Sequence, residues 1–263
     1  MRTQLKTLLA LPLTLVLHAQ LLVLGAMSLA WNLIAMLLYP FLSRERGLAV
    51  GRAGIAYGYA LYWKFTALIG MLRIDSRALD ALRDERGLIV VANHPSMLDA
   101  LLLVARLPRS ACIMKAELMR NIFLGAGARL ARYIRNDSPR GMIRLAVDDL
   151  KHGGQLVIFP EGTRTTQAPV NPFRPGVTLI AKLANAPIQT VFIDTDSPYL
   201  GKHWPIWKLP PLPIVFKVRL GRRFAPSADA NALLKELEAY FAAHVATSAA
   251  RNAQPGEPCQ APG

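Results

Sequence analysis

His94 and Asp99 are the pair on which this sequence turns. They lie in L-I-V-V-A-N-H-P-S-M-L-D, residues 88–99. A carboxylate bonded to one imidazole nitrogen fixes the tautomer and leaves the other nitrogen free to take a proton. That is the base half of a nucleophilic site. The nucleophile half is not written in the chain. No G-x-S-x-G elbow occurs, and Ser96 is too close to His94 in sequence to serve. The chemistry left to the pair is activation of a hydroxyl that arrives from outside. The spacing by itself is a weak signal, because such pairs arise readily by chance in a chain with five histidines. A strand-end histidine is equally well a hydrogen-bonded structural residue.

A second block stands at residues 159–165, F-P-E-G-T-R-T. Gly162 allows the backbone a close approach to a ligand. Thr163 adds a hydroxyl. Arg164 offers a planar fork suited to phosphate. Glu161 does not bind phosphate directly; it is expected to accept from a substrate hydroxyl or to hold Arg164. The competing reading of this block is a structural turn with a buried ion pair.

Both blocks need buried strands in front of them. Leu88–Ala92 is an unbroken apolar run rich in β-branched residues, which reads as a buried strand. Pro95 and Ser96 suit the first turn of a helix that continues to about Arg106. Gln155–Phe159 is a second buried strand. Further strands are expected at 111–114, 133–134, 188–193 and 214–220. Ser138-Pro139 opens a helix that Gly153-Gly154 ends. Helices are also expected over 177–183 and, amphipathic, over 227–245. Residues 72–84 read as a mixed polar connection, and 118–131 as helix and loop. Short buried strands alternating with helices argue an α/β domain with a largely parallel sheet. In such sheets, sites lie at the carboxyl ends of the strands.

Composition adds a membrane. The chain of 263 residues carries a net charge of +14, and its mean hydropathy is +0.27. A protein both basic and apolar suits an anionic membrane surface better than a nucleic acid. From Thr7 to Ser43 there is no Asp, Glu, Lys or Arg. Residues 8–42 are too long for one straight span and slightly short for two with a turn. They exceed the apolar core of a cleaved signal peptide. One tilted span with an interfacial extension and a re-entrant hairpin both remain open. His18, Gln20 and Asn32 are expected to serve helix packing. Arg2 and Lys6 before the stretch, with Arg44, Arg46 and Arg52 after it, ask for the same cytoplasmic side. Residues 53–72, with Tyr57, Tyr59, Tyr62, Trp63 and Phe65, read as an interfacial or docking helix, or equally as a core helix. Cys112 and Cys259 form no disulfide or metal pattern, which suits a reducing compartment. The expected organisation is therefore an anchor with an interfacial helix over 1–72, an α/β domain over 73–246, and a disordered tail over 247–263.

The two blocks together resemble those of the 1-acyl-glycerol-3-phosphate acyltransferase (lysophosphatidate acyltransferase) family. N-H-P-S-M-L-D is similar to its His-x-x-x-x-Asp block and F-P-E-G-T-R-T to its glycerophosphate block. K-A-E-L at 115–118, Y-I-R at 133–135, F-R-P-G-V-T-L-I-A at 173–181 and A-P-I-Q-T-V at 186–191 resemble the intervening and closing blocks, in order. Thr190 departs from the pattern, where a second proline is usual. The resemblance implies that His94 is the general base and that Asp99 orients it. It implies that Lys115, Arg164 and Arg135 hold the acceptor's phosphate. It also implies an acyl-CoA or acyl carrier protein donor, no metal or cofactor, and a lyso-glycerophospholipid acceptor, either lysophosphatidate or another lyso-lipid. The expected setting is the inner or cytoplasmic membrane with the catalytic domain facing the cytoplasm. A serine lipid hydrolase and a non-catalytic membrane-attached binding protein are the competing readings.

Overall fold

The computed structural model describes residues 2–253, with side chains over 11–247. Two long helices come first, α1 (Arg2–Leu38) and α2 (Arg44–Ile69). Ser43 caps α2 by accepting from the Arg46 N–H, and Gly70 closes it in the left-handed conformation, with φ of 78°. There follow β1 (Leu72–Asp75), β2 (Leu88–Ala92), α3 (Asp99–Arg106), β3 (Ser110–Met114), α4 (Gly125–Leu130), β4 (Ile134–Arg135) and α5 (Pro139–Lys151). The chain continues as β5 (Gln155–Ile158), α6 (Gly176–Ala184), β6 (Ile188–Asp194), β7 (Ile214–Phe224) and α7 (Ala230–Ala253).

The strands form one sheet in the order β1-β7-β6-β2-β5-β3-β4. Every neighbouring pair is parallel except β6 with β7. All five residues of β2 and all four of β5 are buried. Central parallel strands are covered on both faces and so must be apolar throughout. Side chains of β2 alternate between two cores. Leu88, Val90 and Ala92 pack with Tyr62 and Trp63 of α2 and Leu102 and Leu103 of α3. Ile89 and Val91 pack with Ala146 and Leu150 of α5, Ile180 of α6, and Leu237 and Phe241 of α7. Two helical layers thus enclose the sheet.

The first two helices join this body. Leu17 is buried in the core that holds Tyr62 and Trp63, with Leu13, Leu21, Leu24 and Met27 packed against it. The aromatic cluster of α2 is therefore divided: Tyr62 and Trp63 dock into the domain while Tyr57 is exposed. Asn32, inside an otherwise apolar helix, makes three bonds to the domain. Its Nδ2 donates to Ile122 O at 2.6 Å, and its Oδ1 accepts from the N–H groups of Ala126 at 2.6 Å and Gly127 at 2.9 Å. That is the packing role expected of it. Residues Leu11–Leu38 remain long and apolar enough to cross a membrane, and Leu15, Leu22, Leu33, Leu37 and Phe41 are exposed.

Several boundaries differ from the expectation. Helix α3 starts at Asp99 rather than at Pro95–Ser96, because residues 96–97 are tied elsewhere. Ser96 Oγ donates to Tyr199 O at 3.0 Å, and Met97 N to Leu200 O at 3.0 Å. β1 lies in what reads as a polar connection; it pairs with the first half of β7, and only alternate residues need be apolar there. α2 begins nine residues earlier than the aromatic run suggests. Arg52, counted with the cations that follow the apolar stretch, lies inside the domain. It is buried, with Nε on Ala131 O, Nη1 on Arg109 O and Nη2 on Asp149 at 2.6 Å. Gly51 makes this possible, since a Cβ there would overlap the Ala131 backbone. α7 runs on to Ala253, so residues 247–253 are helical where disorder was expected; residues 254–263 lie outside the described part. Thr190 is buried and its hydroxyl donates to Arg222 O at 2.8 Å, beside the register shift between β6 and β7.

Candidate active site

β2 and β5 are parallel neighbours, so their carboxyl ends lie at the same edge of the sheet. The His94 turn leaves one and the Glu161–Thr165 turn leaves the other. Thr165 N donates to His94 O at 2.8 Å and joins the two turns directly.

His94 Nδ1 lies 2.9 Å from Asp99 Oδ2. Asp99 is fully buried, whereas the His94 side chain is 19% exposed. Asp99 Oδ2 also accepts from Ser96 N at 2.7 Å, while its Oδ1 is buried with no partner among the described residues. Burial pushes the Asp99 carboxyl up to about 6, against the opposing pull of His94 and the Ser96 N–H. Asp99 opens α3, where the helix N-terminus favours negative charge. The imidazole is held in plane by Phe159, whose ring stacks on it at 4.1 Å between centroids and 20° between planes. With Nδ1 bonded to the carboxylate, Nε2 is the nitrogen available for proton transfer.

Glu161 has a different place from either one expected of it. It is 3% exposed. Its Oε1 accepts from His94 N at 3.1 Å and Thr165 Oγ1 at 2.8 Å, and its Oε2 from Asn171 N at 2.9 Å. A buried carboxylate must be satisfied by donors, and these three come from the protein. Glu161 braces the His94 turn; it holds neither Arg164 nor a wall of the cavity.

That cavity, about 1100 Å³, opens in front of His94. Lys115, Gly162, Thr163 and Arg164 line it. Arg164 Nη1 donates to Leu200 O at 2.8 Å and Gly201 O at 3.1 Å, so part of its fork is already committed. Arg135 is exposed, is paired with Asp137 at 2.9 Å, and is not among the residues lining the cavity. An acid two positions along takes the guanidinium that was expected to reach phosphate. Gly162 has φ of 69°. A Cβ on it would overlap Arg174 Nε, so the close approach it allows is to Arg174.

Sequence reasoning gave no role to Arg174, which lies in the F-R-P-G block two residues before α6 and lines the cavity. It also missed the inner arm of the cavity, walled by Trp31 of α1, Ile55, Gly58 and Tyr59 of α2, and Val104, Cys112 and Tyr133. Burial pushes the Cys112 thiol up to about 12, so it is no nucleophile near neutral pH. Ser96 is fully buried with its hydroxyl on Tyr199 O. Neither residue supplies the missing nucleophile. The arrangement is a base with its orienting carboxylate, between a cation-bearing mouth and an apolar interior.

The chain is similar to several known proteins. The Acyltransferase family model matches residues 73–194. The 1-acyl-sn-glycerol-3-phosphate acyltransferase beta of Homo sapiens is 29% identical over 135 residues, 49% of this chain and 49% of that protein. The 1-acyl-sn-glycerol-3-phosphate acyltransferase of Pseudomonas aeruginosa is 25% identical over 193 residues, 70% of each. The match to its counterpart in Limnanthes douglasii covers 66% of that protein, so the chain spans from about half to 70% of the length of these relatives. The crystal structure of the 1-acyl-sn-glycerophosphate (LPA) acyltransferase from Thermotoga maritima shares the fold. Its TM-score is 0.59 at 23% identity, covering 98% of this chain and all of that one.

Proposed function

We propose that this protein, whose residues 73–194 match the Acyltransferase family model, transfers a fatty acyl group from a thioester donor to the free hydroxyl of lysophosphatidate, giving phosphatidate. The observation that carries the reading is the His94–Asp99 pair, its imidazole on the wall of a cavity lined by three cations and many apolar residues. Lysophosphatidate has one anionic group, one free hydroxyl and one alkyl chain, and the cavity offers a partner for each.

In this reading His94 Nε2 takes the proton of the acceptor hydroxyl. The oxygen attacks the thioester carbonyl and the C–S bond breaks. The departing sulfur takes the proton back from the imidazolium. Asp99 stabilises the charged ring in between. Positioned proton transfer of this kind contributes about 10²–10⁴ in rate. The donor is acyl-CoA or an acyl carrier protein. No metal or cofactor has a step in this chemistry.

The acceptor lives in a membrane, and so must the enzyme. Contacts of α1 with the domain extend from Leu13 to Leu38. This favours a helical pair seated in one leaflet over a free span, with the domain facing the cytoplasm. The basic surface suits anionic lipid.

The test is a donor-by-acceptor matrix on purified protein in lipid, with His94→Ala as control. Transfer to lysophosphatidate that His94→Ala abolishes is the expected result. Turnover of another lyso-lipid with none of lysophosphatidate would overturn the choice of acceptor. Release of free fatty acid through a covalent acyl-enzyme would overturn the mechanism in favour of a hydrolase. Function undisturbed by His94→Ala would return the protein to a binding role.

A further inference from the structure

Three cations line the cavity, and they are not equivalent. Arg164 spends Nη1 on two backbone carbonyls of the 200–201 loop. Lys115 is exposed at the opening. Arg174 is exposed and lines the cavity, and among the described residues its guanidinium has no carboxylate or hydrogen-bond acceptor. A Cβ on Gly162 would fall 2.8 Å from Arg174 Cδ and 2.9 Å from its Cζ, so the side chain lies against the bare Gly162 backbone. A cavity-lining cation without an anion is open to one that a ligand brings.

A second observation points to the same ligand. Helix α6 begins directly after Arg174, with Pro175 as its N-cap and no side chain capping it. Gly176 and Val177 of its first turn also line the cavity. An uncapped helix N-terminus offers free N–H groups and a partial positive charge to an anion. Guanidinium and helix start thus line the same cavity as His94.

We propose that Arg174, seated over Gly162 at the start of α6, is the main binding cation for the phosphate of the acceptor, and that Arg164 chiefly fixes the 200–201 loop. This rests on the acyl-transfer reading. It assigns Gly162 a definite duty, which is to leave room for Arg174.

The experiment compares lysophosphatidate with its neutral analogue, monoacylglycerol, as acceptors for the same donor. In Arg174→Ala the preference for the phosphorylated acceptor, read as the ratio of kcat/KM values, falls about tenfold or more. The loss sits in KM for lysophosphatidate, with donor KM unmoved. Arg174→Lys recovers part of it, because a point charge replaces the fork. An unchanged ratio, or a loss in donor KM instead, overturns the proposal while leaving acyl transfer intact. Equilibrium binding of lysophosphatidate to the His94→Ala protein, with and without Arg174→Ala, gives a readout independent of turnover. Weaker binding in the double variant keeps the phosphate site even if no lyso-lipid is acylated. Equal binding removes it.

Discussion

The His94 imidazole and the Asp99 carboxylate meet at 2.9 Å across a single turn, with one partner at the cavity and the other fully buried. Asp99 has no route to solvent and one unpartnered oxygen. It is a poor place for a charge, and that charge is what holds the ring and offsets the imidazolium. Loss of the base, His94→Ala, should lower kcat by about 10²–10⁴ with substrate binding retained. Single-turnover kinetics with saturating donor checks this.

The carboxyl of Asp99 sets a pH dependence of stability as well. Its folded value is about 6, against an ordinary 3.8. Between these values the unfolded chain has released the proton and the folded chain still holds it. The native state therefore binds more protons, and stability falls as pH rises through that window. Asp99→Asn should abolish activity and also remove this decline. Thermal unfolding of both proteins from pH 4 to 7 in detergent would show two parallel curves if Asp99 titrates normally.

Glu161 should matter through folding as much as through rate. Glu161→Ala leaves three donors without their acceptor, two of them backbone N–H groups. A loss of about 2–4 kcal/mol in stability is expected, with kcat reduced because the His94 backbone is released. Glu161→Gln keeps one acceptor oxygen, which can still serve His94 N and Thr165 Oγ1 while the Asn171 N–H loses its acceptor, and should cost less on both counts. Equal damage from the two variants would mean that the charge itself acts on the substrate.

Asn32→Ala should loosen α1 from the domain. It leaves the N–H groups of Ala126 and Gly127 unpaired in a buried setting and releases the half-buried bond to Ile122 O, at a cost of about 2–4 kcal/mol. Limited proteolysis should then cut faster near residues 121–124. Unaltered cleavage would show that the contact is dispensable.

Trp31 and Gly54 should control acyl-chain length in opposite directions. A Cβ on Gly54 would overlap the Trp31 indole, and Trp31 lines the inner arm of the cavity. Gly54→Ala should push the ring inward and shift preference to shorter chains. Trp31→Ala should admit longer ones. A series of saturated donors of increasing length measures both.

The central strands were readable because burial on both faces keeps them largely apolar: Leu88–Ala92, Gln155–Ile158 and Ile188–Asp194 stand close to where the sequence puts them. β1 was not, since an edge strand beside the long β7 needs few apolar positions. The His94–Asp99 pair was legible through spacing joined to a second block. Arg135 stays off the cavity wall and Arg52 is buried for one shared reason. An arginine advertises its charge in sequence, but its partner, Asp137 or Asp149, is chosen by the fold. Arg174 was passed over because nothing local reveals that it rests on Gly162. The inner arm was invisible because its walls come from five separate elements.

The three bonds of Asn32 carry a consequence for biogenesis. Their partners follow it by 90, 94 and 95 residues. During synthesis the first helix is complete long before the chain that satisfies its amide exists. It must wait, at the membrane or beside it, with a polar group exposed, until residues 122–127 emerge. Assembly of the cavity is therefore ordered in time, and the earliest segment made is among the last to settle.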